Sequence, residues 1–82
     1  MDKKAHLKMQ GMALREIRES KTNYNISEVA SILGKTRVWL SEIETGKKDI
    51  FFKDAKALCK IYGCSLDDLS SKIEKLEKSE LI

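Results

Sequence analysis

Residues 25–46, NISEVASILGKTRVWLSEIETG, constrain the fold more than any other stretch of the chain. Asn25 suits a helix N-cap, and Glu28 stands three residues later, where its carboxylate reaches back to the cap amide. Val29, Ala30 and Leu33 then recur at helical spacing, as one buried face requires. Gly34 lies just past that face, where a left-handed C-cap is needed. Thr36 is placed to cap a second helix with Leu40 and Ile43 as its buried face, and Gly46 ends it. Ala30 is small where the second helix must cross. The spacing predicts two short crossed helices joined by a tight, glycine-containing turn.

The rest of the composition fits a small helical domain. The chain has 82 residues and no proline, enough for one domain with a modest core, and helix-forming residues dominate, so the expected class is all-α. No run is long or apolar enough for a membrane span, and MDKKAHLK lacks the apolar core of a signal peptide; the expectation is a cytoplasmic protein. The net charge of +3 is unevenly spread: residues 1–62 carry 13 Lys+Arg against 8 Asp+Glu, and residues 63–82 carry 3 against 5. The basic excess therefore lies with the paired helices, as a nucleic-acid-binding face needs, and the acidic tail away from them. Cys59 and Cys64 are too few for a disulfide framework and read as small buried apolar residues. His6 is the only histidine and reads as a solvated residue, so no metal site, cofactor or catalytic constellation is expected.

The ordered set Asn25, Glu28, Ala30, Leu33, Gly34, Thr36, Leu40, Ser41, Ile43, Glu44 and Gly46 resembles the Cro/repressor-type (XRE-like) helix-turn-helix family of phage and bacterial regulators. The resemblance extends upstream to LREIRE (residues 14–19) and downstream to GCSLDDL (residues 63–69), covering roughly residues 9–69. It implies a five-helix, lambda-repressor-like domain with helices 2 and 3 as the DNA-reading pair. The expected organisation is a basic arm or the start of helix 1 at residues 1–8, the DNA-binding domain at 9–70 and a C-terminal helical extension at 71–82.

Helix 1 is expected over residues 8–19, with Met9, Ala13, Leu14 and Ile17 as its apolar face. The resemblance implies that Arg18 pairs with Glu44 and pins helix 1 to the end of helix 3. Tyr24 stands just before the cap, where it can staple onto helix 2. Ile26 departs from the family, which commonly has Gln there on a phosphate. That leaves Asn25, Ser27 and the helix N-terminus for the task. Helix 4 is expected to start between Asp49 and Lys53, since the family's usual opening Pro and Ser are replaced by Ile50 and Phe51. Phe52, Ala55, Cys59 and Tyr62 are its expected buried stripe. Phe51 reads either as ordinary core or as part of a two-fold interface that the family often uses. Gly63 caps helix 4, and Ser65 with Asp68 forms a capping box for helix 5. Leu66, Leu69, Ile73 and Leu76 follow a seam-like rhythm. Ile73 and Leu76 lie past the family core, so they either pack back on helix 1 or pair with a second subunit; dimerisation is the expectation.

Helix 3, over residues 37–45, is ~13 Å long and matches a major groove ~12 Å wide. Base contacts are expected from Arg37 to a guanine edge, Val38 to a thymine methyl, and Glu42 to cytosine N4 or to Arg37 itself. Trp39 stands where the family commonly has a small hydroxyl residue. It meets the duplex, folds back as extra core, or marks a protein partner on this face. Phosphate contacts are expected from Asn25, Ser27, Lys35, Thr36, Ser41, Lys47 and Lys48. The expected function is a sequence-specific double-stranded-DNA-binding transcription regulator, a repressor acting by operator occupancy as a homodimer. The alternative is a protein-interaction or antitoxin-like module on the same fold.

Overall fold

The computed structural model describes residues 3–81, the side chains through Ser79. Five helices follow one another: α1 (Lys3–Lys21), α2 (Ile26–Ile32), α3 (Arg37–Glu44), α4 (Phe52–Tyr62) and α5 (Leu66–Leu81). The capping chemistry of residues 25–46 forms in full. The Glu28 amide donates to Asn25 Oδ1 at 2.8 Å, and the Asn25 amide donates to Glu28 Oε1 at 3.0 Å. The Trp39 amide donates to Thr36 Oγ1 at 3.1 Å, opening α3. Val29, Leu40 and Ile43 are fully buried with Leu14 and Leu58, so α2 and α3 close onto α1 and α4 through one core.

Two glycines set how closely α1 approaches the end of α3. Gly11 is buried in mid-helix. A Cβ there would come within 2.6 Å of the Glu44 carbonyl oxygen and closer still to that of Ile43. Gly46 has φ 79°, and a Cβ on it would lie 2.7 Å from Lys8 Cα. Both backbones touch because neither residue has a side chain.

Three details differ from the sequence reading. First, α1 is longer than the expected residues 8–19: of the two readings of the N-terminal residues, 3–8 are its first turns, and it runs on to Lys21. Those early turns lie against the far half of α5. His6 Nδ1 is 3.7 Å from Glu77 Oε1, and nearer the middle Lys72 Nζ is 3.0 Å from Glu16 Oε2. The two helices therefore run antiparallel. Ile73 and Leu76 are half buried against the core of their own chain. They do not project beyond the compact domain, because the longer α1 supplies the partner that they lack in sequence.

Second, Phe52 lies outside the α4 stripe. It is 69% exposed, whereas Ala55, Leu58, Cys59 and Tyr62 are buried. Its register is right, but it is the first residue of the helix, past the edge of the core. Phe51 precedes it as an N-cap without a side-chain cap bond and is 81% exposed. Ile50 is the residue of this loop that packs on the core. Third, Cys64 is only half buried, unlike Cys59. The Ser65–Asp68 capping box forms at both bonds, and the Ser65 amide and hydroxyl hold the Asp68 carboxyl below its ordinary range.

Candidate nucleic-acid interface

The α2–α3 pair presents one exposed edge. Arg37 and Val38 open α3, and Val38 is 62% exposed. Lys35 and Thr36, in the turn before it, are exposed as well. One helical turn on, Ser41 and Glu42 are half buried. Their carbonyls are taken up by the end of the helix: Thr45 Oγ1 donates to Ser41 O at 2.8 Å, and the Lys47 amide donates to Glu42 O at 2.9 Å. The backbone at the end of α3 is thus closed by its own cap, and the side chains at its start stand exposed.

Trp39 is half buried and packs on the core. Lys35 Nζ sits 5.3 Å from its ring centroid, within cation–π range. The indole is therefore partly structural, and the Lys35 ammonium is drawn over it at the edge of the exposed face. Tyr24, expected as a staple, keeps 42% of its surface exposed.

At the start of α2, Asn25, Ile26 and Ser27 line a cavity of about 290 Å³ together with Arg18 and Arg37. Asn25 Oδ1 is committed to the cap. Ile26 is half buried against the core and supplies packing in place of a phosphate donor. Ser27 is exposed at the rim. Arg37 brings a guanidinium beside these groups, which places an anion within its reach as well as a base edge.

The Arg18 charge in that cavity is already neutralised. Arg18 Nε donates to Glu44 Oε2 at 2.8 Å and an Nη donates to Glu44 Oε1 at 3.1 Å, a forked pair with side chains 9% and 2% exposed. A further Nη donates to the Tyr24 carbonyl at 3.0 Å. One arginine thereby joins α1, the segment before α2 and the end of α3. The hydrogen bond to Glu44 raises the Arg18 pKa further, against the effect of burial. Tyr62 is buried nearby, and its phenol is pushed above its ordinary range, chiefly by desolvation.

Lys47 and Lys48 are exposed in the loop after Gly46. The Lys47 amide is used in closing α3, so only its side chain is available. The same loop is tied to α1 by Asp49, whose Oδ1 accepts from Gln10 Nε2 at 3.1 Å and from the Ile50 amide at 2.8 Å. Gln10 and Gly11, and the tie of Asp49 to α1, escaped the sequence reading. An isolated glycine inside a helical pattern is the one signal that pointed to a close approach. Among the described residues, no group of three or more His, Cys, Asp and Glu is placed to hold a metal, and no helix is long and apolar enough to cross a membrane.

The helix-turn-helix family model matches residues 14–69, most of the chain, and the chain belongs to that family. The crystal structure of the clp gene regulator ClgR from C. glutamicum is similar, with a TM-score of 0.79 and 26% identity over 85% of this chain and 88% of that one. A search of curated proteins gave no match. Family membership marks the chain as a DNA-binding transcription regulator and not an enzyme.

Proposed function

We propose that this helix-turn-helix protein is a cytoplasmic, sequence-specific repressor that occupies its operator as a homodimer. The observation that carries the reading is the asymmetry of α3: its first turn stands exposed with Arg37 and Val38, and its last turn is clamped by Arg18 and Gly11. A helix held at one end and bare at the other is suited to a major groove. In this reading Arg37 takes a guanine edge, Val38 a thymine methyl, Glu42 a cytosine amine, and the exposed part of Trp39 the neighbouring base or sugar. Asn25, Ser27, Lys35, Thr36, Ser41, Lys47 and Lys48 face phosphates and fix the register. The second subunit meets the first around Phe51, the most exposed of the large apolar side chains. With Ile73 and Leu76 half occupied by α1, they contribute at most a margin to that contact.

In vitro selection from a random duplex pool at physiological salt tests the proposal. The expected product is an inverted repeat with half-sites one helical turn apart, ~34–36 Å. An enriched single half-site removes the dimer. Salt-sensitive bulk binding without enrichment overturns the operator reading, and favours the interaction module, with Trp39 as a docking residue.

A further inference from the structure

The α4–α5 junction carries chemistry that DNA recognition leaves unused. Gly63 takes a left-handed conformation at φ 71°, and the Cys64 amide donates to the Cys59 carbonyl at 3.0 Å. This closure brings the residue beyond the glycine against one in the last helical turn, and an apolar pair commonly meets there. Here both residues are free thiols, joined through this backbone closure. They differ in access. Cys59 is 3% exposed, inside the core. Cys64 is half buried and lines a cavity of about 280 Å³ with the exposed Lys21 and Asp68 on its wall. A reagent in solution reaches Cys64 first, and Cys59 lies inside the core at the other end of the 3.0 Å backbone bond.

We infer that Cys64 and Cys59 form a two-thiol redox site, which closes to an intramolecular disulfide on exposure to hydrogen peroxide. Cys64, as thiolate, attacks one peroxide oxygen. The O–O bond breaks, Cys64 becomes a sulfenic acid, and the departing hydroxide takes up a proton to give water. The Cys59 sulfur then attacks the Cys64 sulfur. The S–S bond forms, the S–O bond breaks, and hydroxide leaves with the Cys59 proton as a second water. Two thiols lose two electrons, and the peroxide gains them. A dithiol reductant reverses the step by exchange. Burial, with the neighbouring Cys64 adding, pushes the Cys59 thiol up to about 12. Cys59 therefore holds its proton and acts second. The closure of the cap supplies the close approach that disulfide geometry demands. The site stands independently of the operator reading.

The test treats the reduced full chain with hydrogen peroxide, blocks remaining thiols with N-ethylmaleimide and weighs the protein intact. The expected product is two hydrogens lighter and carries no maleimide. After dithiothreitol it accepts two maleimides. Peptide mapping should link Cys59 to Cys64. Cys64→Ser, with its helicity checked by circular dichroism, should lose the lighter species. Cys59→Ser should hold a sulfenic acid at Cys64 that dimedone labels; absence of that label overturns Cys64 as the first target. Peroxide-treated wild-type chain that keeps two alkylatable thiols, or that forms disulfide-linked dimers instead, overturns the inference.

Discussion

The two ends of α3 are built on opposite terms. Its C-terminal end is pressed against backbone: Gly11 on one side, Lys8 at Gly46, and the Arg18–Glu44 fork beneath. Its N-terminal end has a single cap bond from Thr36 and an exposed face of Arg37 and Val38. The comparison teaches where precision comes from. Side chains that must meet base edges need a fixed origin, and the buried end supplies it. Stability should therefore be concentrated at residues that touch no DNA, and specificity at residues that add little stability.

The largest expected break is Glu44→Ala. It leaves the Arg18 guanidinium buried without its partner, and unfolding by denaturant should show a loss of about 3–5 kcal/mol. A loss below about 1 kcal/mol would mean that the pair is solvated and that the clamp lies elsewhere.

Gly11→Ala comes next. The added methyl has to displace backbone carbonyls at the α1–α3 crossing, and a cost of about 1–3 kcal/mol is expected despite alanine's better helix propensity. If the variant is more stable than wild type, the two backbones are further apart than described.

The exposed end sharpens the contrast. Arg37→Ala should change stability by less than about 0.5 kcal/mol. In a binding assay on the selected operator, discrimination at one base position should fall by about 1–3 kcal/mol. Lys48→Ala should instead weaken all duplexes alike and reduce the salt slope by about 1. If Arg37→Ala also weakens every sequence equally, the arginine serves the phosphate cavity at the start of α2 rather than a base.

The smallest effect concerns the α5 cap, remote from both ends of α3. Asp68 has a folded pKa below its unfolded one, so its contribution is present above the unfolded value and disappears as pH falls through the folded one. An Asp68→Asn chain should match wild type at the acid end and fall slightly behind it as pH rises past the ordinary carboxylate range. Parallel pH–stability curves would show that the Asp68 charge adds nothing.

The local chemistry of residues 25–46 was legible in advance because caps and turns act over three or four residues. Asn25 with Glu28, Thr36, and the left-handed glycines need no distant partner to be recognised. The buried faces of α2 and α3 followed from periodicity for the same reason. What tertiary structure alone decided concerns which element arrives where. Phe52 has the spacing of a core residue and stands exposed because the core ends just short of the first residue of α4. Ile73 and Leu76 look unpartnered until α1 is seen to begin at Lys3. Gly11 reads as a weak point in a helix, and its missing side chain is what lets α3 dock. Cys59 and Cys64 are five positions apart in sequence, and only the left-handed turn at Gly63 brings their backbones together. Hydrogen bonds to near neighbours are encoded locally; burial is a relation between distant segments, and it exists only once the chain has folded.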